Sequence, residues 1–268
     1  MRGEAPILLI GAGRMGSALL KGWIGQGIGP VTVVEPKPST DIRALAKAKK
    51  IALVAALPMS RRFSVCVVAI KPQVLKDEAP LLADFAGAGA LMISIAAGAD
   101  TKRLFQAWGK KARIVRAMPN TPGAIGQGVT GLYAAKTASA ADRKRATSLL
   151  SALGQTVWVS KEEWVDGVTA LSGSGPAYLF LMAEALTEAG VAEGLPRALS
   201  EKLARATVAG AGALLAADKS GAAKLREAVT SPGGTTAAAL EVLMASDGLS
   251  ALMRRAVHAA RKRAEQLR

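Results

Sequence analysis

Apolar residues in the first part of the chain fall in short runs, at 5–10, 31–34, 65–70, 91–95 and 114–117, interrupted only by Thr32, Ser94 and Arg116. Runs of this length suit strands buried on both faces. Stretches with helical spacing lie between them, over 17–23, 74–85 and 101–108. Residues 126–133 and 155–159 read as two further strands, with a helix near 141–153 between them. Strand alternating with helix predicts an α/β domain built on a parallel, doubly wound sheet.

Beyond residue 159 the strand signals stop. Helical segments follow near 161–171, 176–190, 196–217, 221–229, 235–245 and 248–266. Ser160-Lys-Glu-Glu163 has the order of a capping box and predicts a helix start. The stretch 203–217 is apolar almost all round, although it carries Arg205. Such a helix is expected to be buried on every side, and a second copy of the chain is the simplest cover. The expected organisation is an α/β domain over 1–160 and a helical domain over 161–268, the latter joining two copies of the chain.

Composition changes this picture little. Half of the 268 residues are hydrophobic but only 4% are aromatic, so the core is aliphatic. The formal charge of +15 suits either a nucleic-acid binder or a basic enzyme with anionic ligands. Its densest run, Arg254-Arg255 with Arg261-Lys262-Arg263, reads as a solvated helix face. No nucleic-acid motif accompanies it, so no nucleic-acid partner is expected. The apolar stretch near 203–217 is too short to span a bilayer, and no membrane association is expected. Cys66, the one cysteine, lies in an apolar run and reads as a core residue. With no room for a signal peptide before the first strand, a cytoplasmic protein is expected. One histidine, His258, and no Cys/His cluster leave no metal site in view.

The chemistry begins at Gly11-Ala-Gly-Arg-Met-Gly16, which follows a strand and opens a helix. In this G-x-G-x-x-G pattern Gly11 permits the tight turn. Gly13 lets a pyrophosphate approach the backbone, and Gly16 lets helix and strand pack closely. The amides at the helix start face the phosphates. Glu35 ends the second strand 24 positions after Gly11, near the roughly 20 expected of an acid that reads ribose hydroxyls. That acid favours NADH, whereas Lys37, Ser39 and Thr40 just after it offer groups for the extra phosphate of NADPH. Lys71, leaving the strand of Cys66, reads either as a phosphate or ribose contact or as a solvated loop lysine. Asn120, between two prolines, reads either as a hydrogen-bonding partner of nicotinamide or substrate or as part of a stiff connector.

Ser231-Pro-Gly-Gly-Thr-Thr236 separates two helical segments. The amides of Gly234, Thr235 and Thr236 lack partners within the new helix, and the dipole there favours anions. Gly233 and Gly234 put no side chain in the way. The loop is a carboxylate or phosphate pocket, with hydroxyls from Ser231, Thr235 and Thr236, or it is a plain capped turn.

Five segments together resemble the pyrroline-5-carboxylate reductase family: Gly11-Ala-Gly-Arg-Met-Gly16, Ala69-Ile-Lys-Pro-Gln73, Arg116-Ala-Met-Pro-Asn-Thr-Pro122, Leu171-Ser-Gly-Ser-Gly-Pro-Ala-Tyr178 and Val229-Thr-Ser-Pro-Gly-Gly-Thr-Thr236. They stand in the family's order and span nearly the whole chain. The resemblance implies an N-terminal Rossmann-like domain followed by an all-α dimerisation domain. It also implies reduction of 1-pyrroline-5-carboxylate to L-proline with NADPH or NADH, the former somewhat ahead, as the last step of proline biosynthesis. Dimers joining into decamers are implied too. Carried over, cofactor contacts fall on Ile10, Gly11, Ala12, Gly13, Arg14, Met15, Ala69, Ile70, Lys71, Pro72, Ala96 and Ala97. The substrate carboxylate falls on Gly234, Thr235 and Thr236 with Ser231 nearby, and the candidate proton donor on Thr236. The rival expectations are a related Rossmann-fold reductase of imines or hydroxy acids, for which Lys161 is the only lysine at the interdomain helix start, and a non-enzymatic dinucleotide-binding regulator.

Overall fold

Ile7 and Leu9 pack into one apolar cluster while Leu8 and Ile10, between them, pack into another. That alternation follows from the two-residue period of a strand and puts the first strand at the centre of a sheet covered on both sides. The computed structural model describes residues 6–268. They contain eight strands: β1 (Ile7–Ile10), β2 (Val31–Val34), β3 (Ala52–Val54), β4 (Val65–Val68), β5 (Leu91–Ser94), β6 (Arg113–Met118), β7 (Gly128–Ala134) and β8 (Gly154–Trp158). They form one sheet in the order β3-β2-β1-β4-β5-β6-β7-β8.

Helices α1 (Arg14–Gly25), α2 (Thr40–Lys47) and α6 (Ala140–Leu150) contribute Leu19, Leu20, Trp23, Ile42, Leu149 and Leu150 to the first cluster. Helices α3 (Pro72–Glu78), α4 (Ala83–Gly87) and α5 (Thr101–Trp108) contribute Leu75, Phe85, Leu104 and Trp108 to the second. The buried indoles are satisfied: Trp23 Nε1 donates to the Leu149 carbonyl at 2.7 Å and Trp108 Nε1 to that of Ala79 at 3.0 Å. Each such side chain is worth roughly 3–5 kcal/mol against truncation to alanine.

Three features depart from the expected pattern. Strand β7 runs antiparallel to β6, with Val115 opposite Ala134, although β8 returns parallel to β7. The connection over 119–127 holds only a 3-10 turn, Thr121–Ile125, and is too short for the crossover a parallel partner needs. Second, β3 and α2 lie where no element was expected; β3 is short and carries Ala52 at its start. Third, the helix over 74–85 is broken into α3, a 3-10 turn at Ala79–Leu82 containing Pro80, and α4.

The chain divides into two compact units. The first holds the sheet and, among the described residues, covers 6–173 with 261–268; the second covers 174–260. The sheet unit thus continues past residue 160, through α7 (Trp164–Val168) and a π turn at Thr169–Gly173. A Cβ on Gly131 of β7 would stand 2.5 Å from Val168, so α7 packs tightly on the sheet. The expected capping box does not form. Glu163 is the N-cap residue of α7 and no side chain caps the helix.

The second unit contains α8 (Gly175–Ala192), α9 (Arg197–Ala217), α10 (Ala222–Ala228), α11 (Thr235–Leu243) and most of α12 (Leu249–Gln266). Helices α8 and α9 form a close hairpin. A Cβ on Gly190 would lie 2.9 Å from the Ser200 hydroxyl, and Arg197 makes a bidentate pair with Glu188 at 2.7 and 2.9 Å. Within one chain α9 buries only Ser200 and Ala204, so the full cover expected of it has to come from a second copy. Leu203, Leu214 and Leu215 are about half exposed, and in α8 so are Leu179, Phe180 and Leu181. Among the described residues no helix is long and apolar enough to cross a membrane.

Candidate functional site

The glycine loop joins β1 to α1 at the C-terminal edge of the sheet. Gly11 has φ +89°, and a Cβ on it would stand 2.7 Å from the Ala69 carbonyl oxygen. A Cβ on Gly16 would meet the Gly11 carbonyl oxygen at 2.2 Å, whereas one on Gly13 would meet nothing within 4 Å. The three glycines therefore divide their work as the motif requires: turn, open approach and close packing. Gly13 is the N-cap of α1 and no side chain caps that helix, so its first amides are left for an anion.

A cavity of about 1260 Å³ opens beside this loop. Of the residues read from sequence, Ile10, Gly11, Gly13, Glu35, Lys37, Ala69, Ile70 and Lys71 line it. Glu35 is tied down on both oxygens: Oε2 accepts from the Ala12 amide at 2.9 Å and Oε1 from the Lys37 amide at 3.1 Å. Lys71 is the exposed N-cap residue of α3. The rest of the wall escaped the sequence reading. It comes from Ala55, Leu57 and Met59 after β3, and from Val74, Glu78, Leu81 and Asp84 along α3, the 3-10 turn and α4. The first group escaped because β3 itself was not expected, and the second because helical spacing over 74–85 does not show which side chains face a ligand.

The remaining cofactor candidates lie elsewhere around the loops. Ala12 and Gly16 are buried, Met15 packs on the core, and Arg14 is exposed. Ala96 is buried, while Ala97 and Pro72 line a second cavity of about 570 Å³ with Gln73, Lys76 and Arg103. Asn120 is committed to the backbone: its Oδ1 accepts from the Val129 amide at 2.9 Å and its Nδ2 donates to the Ser172 carbonyl at 3.1 Å. Both ends of its amide are thus used to pin the 119–127 loop between β7 and the π turn.

A polar cluster that the sequence reading missed lies in the same unit. Glu162 accepts from the Thr101 amide, the Thr101 hydroxyl and Arg116 Nη1, each at 2.6 Å. The Arg116 side chain is 4% exposed and Glu162 is its ion-pair partner. Glu162 also places an anion at the start of α5, where the helix dipole favours one. Next to it Asp166 is buried and pairs with Arg268 at 2.7 Å. Burial raises the Asp166 carboxyl above the usual carboxylate range, against the pull of Arg268 and Arg116. Lys161 is exposed beside Glu163 and Trp164. Burial pushes the Cys66 thiol up to about 12, so it is no nucleophile near neutral pH.

In the second unit, Gly233 of the Ser231–Thr236 loop has φ +68°, which glycine adopts without strain. Gly234 is the N-cap residue of α11, and no side chain caps the helix. The Gly234 amide donates to the Ser231 carbonyl at 3.0 Å, which leaves those of Thr235 and Thr236 at the open end. Ser231 and Thr235 are exposed, and Gly234 and Thr236 are half-buried.

Comparison with known proteins follows the same division. Residues 162–267 match the family described as pyrroline-5-carboxylate reductase dimerisation. Residues 6–98 match that described as NADP oxidoreductase, coenzyme F420-dependent. A pyrroline-5-carboxylate reductase from Pseudomonas aeruginosa is 39% identical over 269 residues, covering 97% of this chain and 96% of its own. Among solved structures, a pyrroline-5-carboxylate reductase from Coxiella burnetii matches with TM-score 0.91 and 37% identity over 99% of both chains. One from Plasmodium falciparum with NADP bound matches with TM-score 0.79 and 28% identity over 98% of both.

Proposed function

Because this chain belongs to the pyrroline-5-carboxylate reductase family, it reduces 1-pyrroline-5-carboxylate to L-proline with NAD(P)H, and we propose which of its residues do so. The observation that carries the substrate site is the uncapped start of α11 behind Gly233 and Gly234. The amides of Thr235 and Thr236 hold the substrate carboxylate, with Gly234 leaving them accessible and the Ser231 and Thr235 hydroxyls adding donors. Bound reduced nicotinamide supplies the hydride that adds to the imine carbon, and the ring nitrogen takes up one proton. A threonine hydroxyl is a poor acid at neutral pH, so Thr236 orients the imine nitrogen and relays that proton. The chain's contribution is mainly positioning.

Gly11–Gly16 would hold the cofactor phosphates, and Glu35, Lys37 and Ala69–Lys71 in the large cavity would hold its adenosine end. The residues lining that cavity and the open backbone at Gly13 fit such a ligand. Ala12, Arg14, Met15, Pro72, Ala96 and Ala97 complete the cofactor contacts. Asn120 belongs to this set by holding its loop. Residues 1–160 form the dinucleotide domain, and residues 161–268 serve dimerisation and substrate binding. The chain self-associates through its helical region. Dimers joining into decamers, a cytoplasmic location, and the absence of nucleic-acid and membrane partners are further parts of the proposal.

The test follows the loss of reduced-nicotinamide absorbance with 1-pyrroline-5-carboxylate, for the wild type, Thr236→Ala and Gly234→Val. Thr236→Ala should lower turnover. Gly234→Val should chiefly raise KM for the imine while leaving dinucleotide affinity unchanged. Unchanged kinetics in both variants would remove the assignment of the loop.

A further inference from the structure

The cavity that takes the adenosine end carries three carboxylates, Glu35, Glu78 and Asp84, against two lysines, Lys37 and Lys71. Of these, Glu35 is fixed in place. The amides of Ala12 and Lys37 hold one oxygen each, so the carboxylate cannot swing away from an incoming anion without giving up two backbone hydrogen bonds. A carboxylate so placed accepts from ribose hydroxyls and repels a 2′-phosphate. The groups that the sequence offered for that phosphate are mostly engaged or elsewhere. Neither Ser39 nor Thr40 lines the cavity. The Ser39 hydroxyl oxygen accepts from the Ile42 amide as the cap of α2. Asp41 adds a further negative charge in the first turn of that helix and already pairs with Lys21 at 2.8 Å. Lys37 remains as the cation beside Glu35.

We propose that Glu35, locked by the Ala12 and Lys37 amides, makes this enzyme prefer NADH to NADPH. This rests on the reductase reading given above and narrows the expectation that the sequence and the family resemblance left with NADPH somewhat ahead. The preference arises on the ground-state binding of the nucleotide, so it is visible without turnover.

Titration calorimetry with NAD⁺ and NADP⁺ on the wild type and Glu35→Ser tests this, with initial rates for NADH and NADPH run alongside. The wild type should bind the unphosphorylated nucleotide roughly tenfold tighter or more, the scale of one like-charge contact at partial exposure. Glu35→Ser should narrow or invert that ratio by weakening one nucleotide and strengthening the other. Two results would overturn the proposal: tighter binding of NADP⁺ by the wild type, or an equal loss for both nucleotides in the variant. The second would mean that Glu35 only holds the glycine loop. Absence of 1-pyrroline-5-carboxylate reduction with preserved nucleotide discrimination would instead count against the substrate assignment and leave the role of Glu35 standing.

Discussion

A methyl group on Gly16 would stand 2.2 Å from the carbonyl oxygen of Gly11, inside any permitted contact. Both atoms belong to the turn that delivers α1 to the sheet, so neither can yield without moving the loop. Gly16→Ala should therefore destabilise the protein by about 1–3 kcal/mol and weaken dinucleotide binding together. Gly13→Ala separates the two effects, since its added methyl meets nothing within 4 Å. Its denaturation midpoint should stay near wild type while nucleotide affinity falls. A Gly13→Ala variant that binds dinucleotide as well as wild type would show that no phosphate comes close there.

The Arg116–Glu162 pair sits against the start of α5, with the Arg116 side chain almost fully buried. Removing one partner strands the other in a place with little water. Glu162→Ala should lower stability by about 3–5 kcal/mol, measured by denaturant unfolding. It also removes the acceptor of the Thr101 amide. The double variant Arg116→Met with Glu162→Gln should be less unstable than Glu162→Ala, because no lone charge stays buried. Equal or greater instability of the double variant would mean that the ion pair itself, and not the stranded charge, carries the energy.

Elements whose apolar runs are long enough to show a period were legible in the sequence. β1, β2, β4, β5 and β6 coincide with largely apolar runs, and α8 to α12 fall within a few residues of their expected bounds. What escaped was set by long-range contacts. Glu162 and Thr101 are 61 positions apart and meet only once the sheet has formed, so the acid read locally as part of a capping box. Asn120 was read either as a ligand's hydrogen-bonding partner or as part of a stiff connector; the two backbone groups its amide holds, at 129 and 172, are remote in sequence. The glycine motif was legible because its physics is local, and the part of the cavity wall after β3 was not, because β3 has no periodic signature.

Cys66 lies in the central β4, with its thiol raised from 9.0 to about 12 by burial. It should resist thiol reagents in the folded protein at mildly alkaline pH and react on unfolding. The linkage has a definite sign. Between about 9 and 12 the folded chain keeps a proton that the unfolded chain releases, so the unfolded state binds fewer protons. Stability from this group is complete below pH 9 and falls by up to about 1.4 kcal/mol per pH unit above it. Cys66→Ala should flatten that alkaline decline, read from thermal melts across the range; an unaltered slope would assign it to other groups.

Leu203 and Leu214 of α9 are 48% and 53% exposed in one chain. Eleven residues apart, they fall on nearly the same side of the helix, a little over three turns from each other. Between them lies Gly210, where an added Cβ would meet nothing within 4 Å, so the stripe is smooth as well as apolar. Exposed apolar area of this kind marks a contact surface, and the helical region belongs to a dimerisation family. Leu214→Glu should bury a charge in that contact and yield a monomer, by light scattering on a sizing column, with loss of turnover. Lys110→Glu, an exposed change in the sheet unit, should leave the mass unaltered. If Leu214→Glu retained the wild-type mass, the copies would meet over another face, and the exposed leucines of α9 would need a different cover.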